Sequence, residues 1–143
     1  MIAVDTNILV YAHREESPFH SPAKRSILDL IASGMPWAIA WPSVHEFLAI
    51  VTSPKIYRQP STWRDGCLFL DGIEGTGTVR WLGEGPGYWP LLKALGEAKK
   101  TVGGQVHDTR IAAICRYHGV SELWSADRDF TRFPEFPVRN PLL

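Results

Sequence analysis

MIAVDTNILVYA, Met1–Ala12, opens on an apolar run, Met1–Val4, that reads as a short strand and stops at Asp5. Thr6–Ala12 then reads as a helix that starts at once, so Asp5 stands at a strand-to-helix turn. The same succession recurs along the chain. Trp37–Trp41 is a buried strand ended by Pro42, and Ser43 opens a helix carrying Phe47, Leu48, Ile50 and Val51, with Glu46 in its first turn. Thr78–Leu82 is a strand followed by a helix over Tyr88–Lys100. Val106–His118 is a helix with Ile111, Ile114 and Cys115 on one face, Asp108 at its start and Gly119 as its stop. Glu122–Ala126 is a strand followed by a tight turn, Asp127-Arg128-Asp129-Phe130, and a proline-flanked tail. Two further helices fit Ser21–Gly34, with Ser21-Pro22 as N-cap and first-turn pair, and Trp63–Ile73. Strands that alternate with helices predict an α/β fold with a mainly parallel sheet, because parallel neighbours need a crossover between them.

The 143 residues suit one domain, 1–143, with a sizeable core. The composition, 45% hydrophobic and 21% charged, is that of an ordinary folded protein. No apolar run approaches the ~20 residues of a membrane span, and the first residues lack the basic start and cleavage site of a signal peptide. A cytoplasmic address is expected. Cys67 and Cys115 have no metal-site spacing and read as structural thiols. Gly72, Gly75, Gly77, Gly83, Gly85 and Gly87 mark loops, since no Gly-Lys-Ser/Thr and no strand-linked G-x-G-x-x-G accompanies them. Fifteen basic residues balance fifteen acidic ones, which argues against a broad basic face for nucleic acid. A site that gathers carboxylates would instead recruit cations, and these would supply the positive charge.

Asp5, Glu46, Asp108 and Asp127 all fall at the carboxyl ends of predicted strands or in the first turns of helices, the rim where parallel sheets build their sites. Each has a plainer explanation when taken alone. Ser43-Val44-His45-Glu46 fits a capping box, Asp108 suits the positive end of a helix, and Asp5 and Asp127 suit N-caps. Capping, however, scatters acids, whereas these four share one edge. Like charges oppose one another's ionisation, so four neighbours stay charged only with a cation among them. Oxygen-only ligands favour Mg²⁺ or Mn²⁺ over Zn²⁺. Such a centre suits phosphodiester cleavage by a metal-activated water. No G-x-S-x-G elbow or cysteine–histidine context supports a protein nucleophile.

The stretches IAVDTNILVYA, VHEFLAIV, VHDTRIAAI and LWSADRDFTRF resemble, in order and over essentially the whole chain, the four acidic motifs of PIN-domain ribonucleases, most closely the VapC-type toxins of bacterial VapBC toxin–antitoxin systems. The resemblance implies a parallel sheet of four to five strands sandwiched by helices, a Mg²⁺ or Mn²⁺ site and endoribonuclease activity. It further implies an RNA substrate, a VapB-like antitoxin partner and a homodimer. By motif, Asp5, Glu46, Asp108 and Asp127 would be the catalytic and metal-binding acids, and Asn7 would orient Asp5 or a water. Ser125 stands where the family often has threonine and keeps the hydroxyl. Asp129 is either a supporting acid or a solvated charge beside Arg128, and the second is favoured. His45 and His107 read as polar neighbours. Arg14, Lys55, Arg58, Arg110 and Arg128 are candidates to hold RNA phosphates. Trp37, Trp41 and the apolar helices beside them could face a second subunit or an antitoxin segment.

Two other readings fit parts of this pattern. One is a non-catalytic regulatory module of the same fold that binds a metal and RNA. The other is a phosphatase, but Asp5-Thr6-Asn7 lacks the second aspartate that a D-x-D aspartyl-phosphate mechanism requires.

Overall fold

The computed structural model describes residues 1–143, which alternate strands and helices in an α/β arrangement. Its strands are β1 (Ile2–Val4), β2 (Trp37–Ala40), β3 (Val79–Leu82), β4 (Glu122–Trp124) and β5 (Val138–Arg139). Its helices are α1 (Thr6–His13), α2 (His20–Ala32), α3 (Trp41–Val51), α4 (Trp63–Glu74), α5 (Tyr88–Ala98) and α6 (Gln105–Tyr117), and a 3-10 helix spans Arg128–Arg132. All strand pairs are parallel, in the order β3-β2-β1-β4-β5. The chain steps outward from β1 in one direction through β2 and β3, and in the other through β4 and β5. The direction therefore reverses between β1 and β4, and at such a switch point the loops leaving the two strands part to open a crevice.

The alternation of side chains along each strand builds two cores. Val4, Trp37, Ile39, Val79 and Trp124 pack on one face with α1 to α4, around Ile8, Leu9, Phe47 and Val51. Ala3, Ala38, Ala40, Leu82 and Leu123 pack on the other with α5, α6 and Phe130, Phe133 and Phe136. The small residues on this second face let Ala112 and Ala113 of α6, both fully buried, lie close against the sheet. Helices thus sandwich the sheet, as expected. No helix is long and apolar enough to cross a membrane. Cys115 is buried and its thiol is pushed up to about 12 by desolvation, so it behaves as a small apolar side chain.

Most expected ranges shift by a residue or two, as β4 ends at Trp124 and α5 at Ala98, and three differences have a clear local cause. The amide of Ala23 bonds the Phe19 carbonyl, so α2 starts at His20 with Phe19 in the N-cap position, and Ser21-Pro22 lie inside its first turn. Proline is tolerated there because first-turn amides have no helical partner. For the same reason Pro42 sits within the first turn of α3, which begins at Trp41, and β2 ends one residue early. Lastly, the tail carries β5, whose pairing Leu123 and Ser125 support by donating to the carbonyls of Pro137 and Arg139.

Candidate active site

Asp5 follows β1 directly, and its side chain makes no N-cap bond to α1. Instead Oδ2 accepts from the Ser125 hydroxyl at 2.8 Å and from the Asn7 amide at 3.2 Å. Ser125 Oγ also accepts from the Asn7 amide and from the backbone N–H of Asp127, so its one donor and two acceptor positions are filled. The Asn7 carbonyl accepts from the Ala126 N–H at 3.1 Å. These bonds tie the end of β1 to the end of β4 across the switch point. Asp5 is 5% exposed. Burial drives its carboxyl up to about 6; the Ser125 hydrogen bond opposes this, and the charges of Glu46 and Asp127 add to it.

Glu46 departs from the expected capping box. Because α3 starts at Trp41, Glu46 lies beyond the first turn, the N-cap position belongs to Ala40, and the buried Ser43 hydroxyl has no partner at all. Freed from capping, Glu46 is exposed and its Oε2 accepts from Thr6 at 3.1 Å. Thr6 thereby links the α3 acid to the β1–α1 turn.

Asp108 stands in the first turn of α6, and its carboxyl is raised, first by desolvation and then by Asp127 and Asp129, against the lowering effect of Arg132. Asp127 does cap the 3-10 helix, accepting from the Asp129 N–H at 2.8 Å through Oδ1. Asp129 is exposed, as a solvated charge would be, yet one of its carboxylate oxygens joins this group. One oxygen each from Asp108, Asp127 and Asp129 lies within 4.8 Å of the others. The tight group thus holds two of the four predicted acids and Asp129, while Asp5 and Glu46 border it closely enough to perturb it electrostatically. Its donors are all carboxylate oxygens held close against their own repulsion, a set that fits a hard divalent ion and lacks the nitrogen or sulfur that zinc prefers.

A cleft of about 590 Å³ adjoins the acids, lined among others by His45, Glu46, His107, Asp108 and Arg110. Arg110 enters it paired with Glu84. Arg128 is exposed on the 3-10 helix between Asp127 and Asp129. Arg14 is placed differently from expectation. It follows the far end of α1, and its guanidinium is engaged by Glu16, Ser61, the Gln59 carbonyl and the Tyr57 ring. It is a clamp for the loop after α3. Two neighbours of the site escaped the sequence reading. Thr6 was visible only as part of the Asp5-Thr6-Asn7 motif. Arg132, with Nη2 buried and unpartnered, lies three residues after Asp129. Three is the repeat of a 3-10 helix, and that spacing could have signalled it.

No family model matches the chain, but individual relatives do. Ribonuclease VapC48 of Mycobacterium tuberculosis is 31% identical over 137 residues, covering 96% of this chain and 94% of the relative. Ribonuclease VapC43 of the same species is 27% identical over 142 residues, covering 99% and 96%. Among solved structures, VapBC2 from Rickettsia felis bound to a promoter DNA fragment superposes with a TM-score of 0.68 at 21% identity, covering 98% of both chains. The sarcin-ricin loop cleaving toxin VapC20 of M. tuberculosis superposes with a TM-score of 0.64 at 20% identity, covering 92% and 93%. The structural matches carry the fold, and the full-length identity to VapC48 carries the family. On that evidence the chain belongs to the VapC family of PIN-domain ribonucleases.

Proposed function

We propose that the chain is a Mg²⁺- or Mn²⁺-dependent endoribonuclease, the toxin of a type II toxin–antitoxin pair, which hydrolyses RNA phosphodiester bonds at the acid-lined end of the sheet. The observation that carries this reading is the convergence of Asp108, Asp127 and Asp129 within 4.8 Å, bordered by a buried Asp5 whose carboxyl is raised to about 6. Asp108 and Asp127, with Asp129 beside them and Asp5 and Glu46 bordering the group, would hold the ion. When bound, the ion supplies Lewis-acid activation of water and of the phosphoryl group. Asn7 and Ser125 fix the Asp5 carboxylate between two strand ends, and Thr6 does the same for Glu46, so the acids are oriented before substrate arrives. Arg128, exposed, and Arg110, half-buried and paired with Glu84, stand where they can take up RNA phosphates beside the acids.

The names of the relatives and structural neighbours support an antitoxin partner of the VapB type. An apolar groove walled by Ile27, Leu28 and Ile31 of α2 and by Phe69 and Ile73 of α4 would seat an apolar segment of it. A homodimer belongs to the same reading. Asp108 and Asp127 converge with Asp129, and Asp5 and Glu46 border them closely enough to be felt electrostatically, which favours the enzyme over a non-catalytic RNA-binding module.

The test is cleavage of labelled RNA with Mg²⁺ or Mn²⁺, with chelator, and by Asp5→Asn and Asp108→Asn. Cleavage should require the ion and fall at least a hundredfold in both variants, whose expression should also no longer arrest growth. Full activity in chelator or in either variant would remove the metal-nuclease reading.

A further inference from the structure

Beside the acid cleft lies an aromatic row that the acids do not explain. Trp41, the first residue of α3, stacks on Trp81 of β3 with ring centroids 5.3 Å apart and planes 23° apart. One turn along α3, His45 lies at 6.5 Å from Trp41, its plane inclined by 26°. His45 is itself a wall of the cleft, next to Glu46 and facing His107, Asp108 and Arg110. The row therefore runs from the edge strand of the sheet into the acidic site.

The two indoles are held in place, and Trp41 remains accessible. The indole N–H of Trp81 donates to Glu74 at 2.8 Å. Pro42 restricts the backbone after Trp41, and Gly83 passes so near the Trp41 ring that a Cβ there would meet Cδ1 at 3.2 Å. Yet Trp41 is 43% exposed, and His45 is exposed as well. A buttressed indole left open to solvent beside a nearly parallel imidazole matches what an unpaired nucleobase needs, since every base offers a π-face and loses little by stacking on a surface already ordered. A base within an A-form duplex has both faces covered by its neighbours and cannot use such a step.

Building on the nuclease reading, we propose that Trp41 and His45 form a stacking step for an unpaired RNA base next to the scissile phosphate. The stacked base sets the register of the strand. The phosphate that follows it then enters the cleft near Asp108, with Arg110 at hand. Trp41 is thus a positioning residue for substrate, and Trp81 supports it from beneath.

The test compares binding of a short labelled single-stranded RNA with that of the same strand annealed to its complement, by fluorescence anisotropy in the Asp5→Asn background. Trp41→Ala should weaken single-strand binding roughly 5- to 100-fold, Trp41→Phe should restore most of it, and duplex binding should stay as in the parent. Sedimentation of Trp41→Ala should give the parent's mass. Equal affinity in Trp41→Ala, equal losses for single strand and duplex, or a changed mass would overturn the stacking step; a changed mass would make the row a protein interface. Cleavage by the parent chain in Mg²⁺ is scored separately. Stacking-dependent binding by a chain that never cuts RNA would end the nuclease reading and leave the step standing.

Discussion

At the scale of single residues, Asp5 bears the sharpest conflict in the molecule. It is buried, accepts from two neutral donors, and faces other carboxylates with no cation beside it. The folded chain therefore holds its proton up to a pH of about 6, against about 3.8 for an ordinary aspartate. Between these values the native state binds more protons than the unfolded one, so stability falls as pH rises through that window. The stabilising effect of protonation is complete below about pH 4 and gone above about 6. Asp108 is raised too and acts in the same direction. Without divalent ions the protein should melt at a higher temperature at pH 5 than at pH 7.5. Asp5→Asn should remove much of this difference and stabilise the chain at pH 7.5 by on the order of 2 kcal/mol. Thermal melts of both proteins in chelator at the two pH values check this, and an unchanged pH response in Asp5→Asn would contradict it. The positions of Asp5, Glu46, Asp108 and Asp127 on one rim were legible because each follows a strand or lies near a helix start, places that pattern alone identifies. What remained hidden depends on contacts between distant segments. Thr6 meets Glu46 only because α3 packs on α1, and Asp129 comes near Asp108 only because the 3-10 helix after β4 meets the start of α6.

At the scale of elements, that 3-10 helix matters most, since Arg128–Arg132 is too short to be stable alone and yet carries Asp129, with Asp127 as its cap. It is anchored by Phe130 and Phe133, each 1% exposed, and the chain beyond it by Phe136, all in the core shared with α6. Phe130→Ala should lower stability by about 3–5 kcal/mol in urea unfolding, the usual result of emptying a buried aromatic site. Phe130→Leu should recover more than half of that loss. Because the aromatic anchor also positions the acids, the alanine variant should lose affinity for Mn²⁺ under conditions where it is still folded. A variant with full stability would show that the anchor is not Phe130. The elements themselves were readable wherever a periodic apolar pattern was long, as in α6, or a strand ran four residues between breakers, as in β2. Boundaries failed where proline occupied a first turn, at Pro22 and Pro42. The capping box at Ser43 failed for a related reason. Its spacing was correct, but the helix had already begun two residues earlier, leaving Ser43 inside it and Glu46 free for the site. β5 is two residues long beside a proline and exists only because β4 offers it an edge, which no local signal announces.

At the scale of the whole molecule, charge balance decides how a chain of this kind could hold RNA. Fifteen cationic side chains against fifteen anionic ones leave no general attraction for a polyanion. Several cations are also engaged internally: Arg14 by the loop after α3, Lys99 by Glu135 and Arg110 by Glu84. Affinity must then come from the acid centre with its ion, from stacking at Trp41, and from few phosphate contacts, supplied by Arg110 on the cleft wall and Arg128 beside Asp127. Each phosphate neutralised on a single strand contributes about −0.7 to the slope of log K against log salt, so two contacts give a slope near −1.4. A protein gripping RNA over a broad basic face would show a slope several times steeper. Titrating monovalent salt at fixed Mg²⁺ in the Asp5→Asn background should therefore change single-strand affinity only a few-fold between 50 and 200 mM, about sevenfold at that slope. Arg110→Ala and Arg128→Ala should each flatten the dependence by about half. A slope steeper than about −4 would mean that cations far from the cleft, such as Lys55 and Arg58 in the loop after α3, grip the strand, and that RNA approaches by a wider face than the acids mark out.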